Sequence, residues 1–318
     1  MPPWRRMKNG NRTERPAWRS VNGVFLLDKP LGLSSNHALQ RVRRLFRAAK
    51  AGHTGTLDPL ASGLLPLCLG EATKYAGWIL DAPKSYRATL MLGITSDTGD
   101  GEGTLVPGLP FEGDGTEIEA VLPRFMGPGQ QIPPMHSALK VQGQTLYDLA
   151  RRGTVVERAP RDIHIHALTP VSLEGACLTL DVTVSKGTYI RVLAQDIGVA
   201  LGCGAYLAGL RRTATGPFQL DDAVTLETLE SWSETQRDGI LKPVATLLEG
   251  LPRVTLERHQ AQSLQRGQTL AWDGPAPEGA CRLYDGEERF YGLVQYDGAA
   301  GGRWLALRMM GEAMGERT

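Results

Sequence analysis

One aspartate stands alone in a stretch of small and apolar residues, residues 52–66, with the sequence G-H-T-G-T-L-D-P-L-A-S-G-L-L-P. Asp58 follows Leu57 and precedes Pro59, and three glycines within twelve positions allow the backbone to bend tightly or another molecule to approach closely. A carboxylate among apolar neighbours is costly unless something pairs with it. Because an aspartate before a proline also commonly caps a helix or a turn, the residue by itself fits a capping role as well as a reactive one.

The charges around this stretch favour the reactive role. Residues 29–57 contain no acidic residue but carry six basic ones: Lys29, Arg41, Arg43, Arg44, Arg47 and Lys50. A lone carboxylate at the end of a cationic approach suits a polyanionic substrate that is delivered to one reacting group.

A partner for this carboxylate is suggested in a second motif, K-G-T-Y-I-R-V-L-A-Q-D-I-G, at residues 186–198. Here a strand is predicted to end, Gly187 to turn, and a helix to begin that carries Tyr189 and Arg191. An arginine in the first turn of a helix opposes the helix dipole, so pairing with a carboxylate would explain its position. The spacing by itself also fits an ordinary surface arginine.

Size and composition are those of a water-soluble globular protein. The chain has 318 residues, 42% hydrophobic and 22% charged, with a net charge of +1, which is enough for one well-buried core or two domains. The charge is segregated, because residues 88–123 carry seven acidic residues and no lysine or arginine. The four cysteines are widely spaced, as expected of free thiols in a reducing compartment, and no apolar run approaches the roughly 20 residues of a membrane span. We therefore expect a cytoplasmic protein.

Hydrophobic periodicity predicts alternating strands and helices around the two motifs. A capped helix with arginines on its outer face should begin near Ser34–Asn36, and we expect that face to contact the polyanion. Residues 95–115 are predicted to be a loop or a solvated insertion. The predicted strands are 23–28, 64–70, 85–94, 137–141, 161–173 and 177–185, and the other predicted helices are 71–80, 145–152 and 226–232.

Three segments differ in composition and predicted structure, and they define the expected domains. Residues 1–22 form a basic leader, Trp4 and Trp18 included, for which we expect flexibility rather than an ordered arm that binds nucleic acid. Residues 23–250 contain both motifs. Residues 251–318 consist of short strands and turns and are expected to form a small β-rich domain.

The stretch around Asp58 resembles the catalytic motif of the bacterial tRNA pseudouridine-55 synthase family. The resemblance continues in the Tyr189–Arg191 run and in A-Y-L-A-G-L-R-R-T at residues 205–213, and it covers roughly residues 23–215. It implies an α+β fold with a mixed, largely antiparallel central sheet and flanking helices. The C-terminal segment is similar in place and size to the RNA-binding PUA-type domain that ends many such enzymes.

The same resemblance implies the function and the roles of seven residues. The enzyme would isomerise the uridine at position 55, in the TΨC loop of tRNA, with Asp58 as the catalytic carboxylate on a flipped-out nucleotide and Arg191 as its partner. No metal and no organic cofactor is implied, and tRNA is the expected partner of a monomer. Tyr86 would stack on the base and help to move the C5 proton; His53, Lys29, Tyr189 and Leu210 would bind substrate or line the pocket.

Other interpretations remain open at this point. The chemistry could act on another structured RNA or be directed by a guide RNA, and the chain could be a tRNA-folding protein whose carboxylate is incidental. A metal hydrolase using His53 and Asp58 is a third possibility, and His164 and His166 could share a metal, although no third ligand is near in sequence. Docking through the cations at 41–50 predicts that RNA affinity falls steeply with salt.

Overall fold

The computed structural model describes residues 17–311 except 138, 142 and 300. Its strands and α-helices, labelled in chain order, agree closely with the α+β fold expected from sequence. The strands are β1 Gly23–Lys29, β2 Ala51–His53, β3 Ala61–Leu69, β4 Lys84–Leu92, β5 Ile94–Ser96, β6 Leu105–Pro107, β7 Gly127–Gln131, β8 Lys140–Val141, β9 Gln144–Thr145, β10 Arg161–Glu174, β11 Cys177–Val184, β12 Ala205–Thr215, β13 Phe218–Gln219, β14 Val224–Thr225, β15 Arg253–Leu256, β16 Leu270–Ala271, β17 Ala280–Asp285, β18 Phe290–Asp297 and β19 Arg303–Met309. The helices are α1 Ser35–Leu45, α2 Ala76–Leu80, α3 Gly115–Val121, α4 Leu146–Arg151, α5 Ile190–Ala200, α6 Leu226–Ser231, α7 Glu234–Gly239 and α8 Arg258–Gln265.

A large mixed sheet forms the frame of the protein, with the strand order β14-β1-β3-β12-β4-β11-β10-β7. Most neighbours are antiparallel, but β12 runs parallel to β3 and antiparallel to β4. Because β12 lies between two strands that precede it in the chain, it brings residues near 210 beside the motif that contains Asp58. Apolar side chains on both faces of the sheet form the core with α1 and α5.

Helix α1 precedes the motif of Asp58 in the chain and packs against the large sheet. Ser34 caps it by accepting a hydrogen bond from the His37 backbone N–H, as a serine before an amphipathic run is expected to do. One face of the helix is buried against the sheet through Ala38, Leu39 and Val42. The outer face carries the arginines, as the sequence predicts.

The cations at 41–50, expected to contact the polyanion, are not all free, because acids from elsewhere in the chain neutralise two of them. Arg41 pairs with Glu230 at 2.5 Å, and Arg47 pairs with Glu234. These acids belong to α6 and α7, from an acidic segment almost 190 residues away in the chain. Sequence proximity could not reveal this pairing.

The acidic stretch 95–115 is more ordered than a solvated loop. Strands β5 and β6 form a short hairpin, and Asp100 at its turn is almost completely buried. The sequence pattern failed here because acidic residues without apolar periodicity, five of them in this stretch, are usually solvent-exposed.

A second sheet, of order β15-β17-β18-β19-β16, forms the C-terminal β-rich part with α8 packed against it. Leu293 of this sheet belongs to the same apolar cluster as Val24 of β1, so the second sheet packs against the large one there. The Tyr75 hydroxyl adds a hydrogen bond to the Arg308 carbonyl at 3.0 Å.

Most of the expected leader, residues 1–16, lies outside the described residues. The part that is described is anchored: Arg19 bonds the Arg47 carbonyl through its backbone and Asp238 through its side chain, and Trp18 lies under the Arg43 guanidinium. Within the described part of the chain, none of the helices has the length and apolar character needed to span a bilayer.

Candidate active site

Asp58 lies in the loop between β2 and β3, and α1 holds this loop in place. The buried Ser35 hydroxyl donates to the Leu57 carbonyl at 2.8 Å and accepts from the Leu57 N–H at 2.7 Å. The Asp58 carbonyl accepts from the Ala61 N–H at 3.0 Å, which closes the turn into β3. The backbone of Leu57, the residue before Asp58, is therefore held through both its N–H and its carbonyl group.

The Arg191 guanidinium contacts the Asp58 carboxylate directly. Arg191 is the second residue of α5, and its other terminal nitrogen pairs with Asp100 at 3.0 Å. The arginine is 8% exposed and Asp100 12%, whereas the Asp58 side chain is 54% exposed. The arginine is thus the buried member of the pair, and the carboxylate faces outwards although its neighbours in sequence are apolar.

A cavity of about 330 Å³ opens beside this pair. Tyr86 on β4, Leu210 on β12 and Tyr189, the N-cap residue of α5, contribute to its wall together with Asp58 and Arg191. The side chain of Gln131 bonds both the N–H and the carbonyl of Tyr189, at 2.9 and 3.3 Å. The volume is of the order that small ligands occupy, and the wall combines apolar side chains with a few charged ones.

Two of the predicted site residues, Lys29 and His53, do not belong to this wall. The Lys29 ammonium is fully buried and donates to the carbonyls of Pro30 and Leu33 at 2.9 and 2.6 Å. Burial lowers its pKa to about 8, against the opposing attraction of Asp58. Lys29 therefore supports the turn in front of α1.

His53 ends β2 and is half-buried. Its Nδ1 has no hydrogen-bond partner among the described residues. Burial, with the positive charge of Arg212 adding to it, lowers the pKa of His53 from its ordinary value.

Sequence reasoning missed two charged residues of the site. Asp100 had been placed in a solvated stretch, and Arg212 had no assigned role although Leu210, two positions earlier on the same strand, had one. The period of two along β12 was the available signal, since residues 210 and 212 face the same side of the strand. No comparable signal marked Asp100.

The described residues contain no cluster of three side chains suited to hold a metal ion. His164 and His166 do stack on each other, with ring centroids 4.5 Å apart, on the exposed face of β10. They share that face, as their spacing of two in sequence suggested.

Comparison with protein families gives consecutive matches along the chain. The model described as "TruB family pseudouridylate synthase (N terminal domain)" matches residues 43–190, which include Asp58 and Tyr86. The tRNA pseudouridylate synthase B C-terminal domain matches residues 191–249, and "Pseudouridine synthase II TruB, C-terminal" matches 252–300.

Similar proteins cover most of the chain. tRNA pseudouridine synthase B of Dechloromonas aromatica is 55% identical over 80% of this chain and 85% of its own. That of Methylobacillus flagellatus is 51% identical over 86% and 91%. Among solved structures, a Cbf5-Nop10-Gar1 complex matches with a TM-score of 0.66 and 27% identity over 86% of this chain and 78% of the other. An H/ACA RNP bound to a substrate RNA containing 2′-deoxyuridine matches with a TM-score of 0.64 and 26% identity over 86% and 77%.

Proposed function

The chain belongs to the TruB family of pseudouridylate synthases, and from that premise we propose that it converts uridine 55 in the TΨC loop of tRNA to pseudouridine, with Asp58 as the catalytic carboxylate. The relatives that are half identical over most of the chain are tRNA pseudouridine synthases, which supports tRNA as the substrate. The observation that carries the proposal is the Asp58–Arg191 pair at the cavity.

The geometry of this pair suits the reaction. Pseudouridine formation breaks the N1–C1′ bond, turns the uracil and joins C5 to C1′, so one group must act as nucleophile or base towards the nucleoside. An exposed carboxylate oriented by a buried guanidinium is accessible to substrate and fixed in direction. Its loop is fastened to α1 through Ser35, so little reorganisation is needed when substrate arrives.

The other predicted residues take supporting roles in this proposal. Tyr86 stacks on the flipped uracil and helps to move the C5 proton, while Tyr189 and Leu210 form the wall that limits water. Stacking on an aromatic ring recovers about 1–3 kcal/mol of the cost of extruding a base. His53, beside the motif loop, fills the space near the vacated base, and Lys29 supports the turn before α1.

We also propose that the C-terminal sheet, from residue 251 onward, acts as a PUA-like RNA-binding domain and that 23–250 is the catalytic domain. All four cysteines are free thiols, which supports a reducing cytoplasmic environment. The expected partner is the TΨC stem-loop of tRNA, bound by one copy of the chain.

The decisive experiment is incubation with unmodified tRNA transcripts, followed by mapping of any isomerised uridine. We expect one modified position, uridine 55. The Asp58→Asn variant should lose about 1,000-fold or more of its turnover while binding tRNA as the wild type does. Asp181→Asn, which changes an exposed carboxylate paired with Arg87, is the matched control and should keep full activity.

A second substrate class comes from the structural likeness to the Cbf5-Nop10-Gar1 complex and to the H/ACA RNP bound to a substrate RNA. Activity on another structured RNA, with tRNA transcripts left unmodified, would favour that class. Binding of tRNA with no isomerised uridine in any RNA would favour a tRNA-folding protein.

A further inference from the structure

Arg212 is a fully buried cation in the wall of the cavity. It lies on β12 directly opposite Tyr86 of β4 on one side and Gly63 of β3 on the other. Its relative exposure is 1%, and it faces the cavity together with Leu210. Sheet register therefore fixes a guanidinium beside the tyrosine that is expected to hold the base.

The described residues supply no carboxylate within 4 Å of this guanidinium. Its Nε donates to the Leu64 carbonyl at 2.6 Å and its Nη2 to the Gly55 carbonyl at 3.2 Å, and its side chain also hydrogen-bonds Tyr86, so its partners are carbonyls and a phenol rather than carboxylates. Arg191 differs, because two carboxylates neutralise it. Burial lowers the pKa of Arg212, but an arginine remains charged in proteins.

The positive charge of Arg212 acts on other titratable groups near the site. It lowers the pKa of Lys29, of His53 and of Lys84, although burial is the larger cause in each case. Four cations line the cavity: Lys84, Lys186, Arg191 and Arg212. Lys186 pairs with Asp81, and the Lys84 pKa is only about 8. Arg212 is thus the wall cation among the described residues that is both permanently charged and without a counterion.

An uncompensated buried charge is costly, and in an active site such a charge commonly stabilises an opposite charge that forms during the reaction. When the N1–C1′ bond breaks, its electron pair leaves with the uracil, and the base carries a negative charge that spreads from N1 to O2 and O4. C5 then bonds C1′, the C5 proton leaves, and N1 gains a proton, so the nucleotide is isomerised without loss of atoms.

On the premise of the proposed function, we propose that Arg212 stabilises the uracil anion formed in this step. Asp58 stabilises the positive charge that develops at the sugar, and Arg191 orients Asp58. Different residues then stabilise the two charges that form when the bond breaks: the carboxylate of the motif loop at the sugar, and the guanidinium of β12 at the uracil.

The test compares two substrates in single-turnover reactions at saturating RNA. One is the tRNA stem-loop with uridine at the target position; the other carries 5-fluorouridine there, whose electron-withdrawing fluorine makes the departing base a more stable anion. Since C5 of this analogue has no proton to lose, its reaction reports on cleavage of N1–C1′ and rejoining at C5. Rates are measured for the wild type and for Arg212→Met and Arg212→Lys, with Kd and melting temperature for each.

With uridine we expect Arg212→Met to lower the rate about 100- to 1,000-fold, with Kd within about threefold of the wild type. The loss should be at least about tenfold smaller with 5-fluorouridine, and Arg212→Lys should recover part of the uridine rate because it restores the charge. Arg211→Met is the matched control: its side chain points to the opposite face of β12 and pairs with Asp28, so its losses should be equal for both substrates.

Equal losses on both substrates for Arg212→Met, at unchanged melting temperature, would overturn the inference and leave the proposed function intact. A loss confined to Kd would do the same. A wild-type protein that isomerises no uridine at all would instead refute the proposed function. If Arg212→Met does not fold, the ratio of the two substrate losses in Arg212→Lys decides the matter.

Discussion

Asp100 and Asp58 bind the same guanidinium, one at each terminal nitrogen of Arg191. Asp58 is half-exposed and Asp100 buried, so the two carboxylates hold the arginine from the outside and the inside of the fold. The buried carboxylate fixes the direction from which the arginine reaches the reactive one.

The Asp100→Asn variant should therefore turn over more slowly although Asp58 is intact. We expect a fall of about 10- to 100-fold in kcat with little change in tRNA affinity, since an amide no longer neutralises Arg191 or fixes its orientation. Glu112→Gln, an exposed acid of the same stretch, is the control. Unchanged kcat in Asp100→Asn would show that Arg191 needs only Asp58.

The glycine of β3 that lies opposite Arg212 tolerates no side chain. Gly63 has a φ of +97°, and a Cβ there would lie 2.3 Å from the Arg212 carbonyl oxygen. Gly63→Ala should thus lower the free energy of unfolding by about 3 kcal/mol or more, measured by urea denaturation. Gly77→Ala in α2, where a Cβ meets nothing within 4 Å, should be neutral or stabilise by up to about 1 kcal/mol. Similar losses in both variants would contradict the predicted clash.

Lys29 makes the stability depend on pH in an unusual direction. Burial lowers its pKa from 10.5 to about 8. Below pH 8 both states hold the proton and the cost of the buried charge is present in full. Between pH 8 and 10.5 only the unfolded chain retains the proton, so the free energy of unfolding gains a contribution that rises with pH.

Lys29→Met should remove this rise, by about 1–3 kcal/mol between pH 7.5 and 10. The measurement is urea denaturation of wild type and variant at several pH values. Arg41→Ala serves as the control, because an arginine does not titrate in this range. A rise that persists unchanged in Lys29→Met would assign it to other groups, Lys84 first among them.

The ion pair between α1 and α6 should matter little for RNA binding. Arg41 and Glu230 are both more than 40% exposed, and such surface pairs contribute about 0–1 kcal/mol to stability. Since Arg41 already has a counterion, Arg41→Ala should leave the slope of log Kd for tRNA against log salt almost unchanged. A slope smaller by about one unit would restore Arg41 as a phosphate contact.

The local motifs predicted the Asp58–Arg191 pair, but not the charged residues around it. The position of Arg191 in the first turn of a helix indicated a carboxylate partner, because the dipole disfavours a cation there. Asp100 escaped notice because acids without apolar periodicity resemble a solvated loop, and Arg212 because a sequence does not state that an arginine is buried. Both depend on β12 entering the sheet between β3 and β4, which is a non-local event.

That insertion bears on when the protein becomes competent during its synthesis. β3 and β4 are consecutive in the chain yet cannot pair with each other, because β12, more than a hundred residues later, occupies the position between them. A nascent chain that ends before Ala205 thus carries Asp58 on an unfinished sheet, without the residues of β12 that line the cavity. About two thirds of the 318-residue chain must therefore leave the ribosome before the cavity can form.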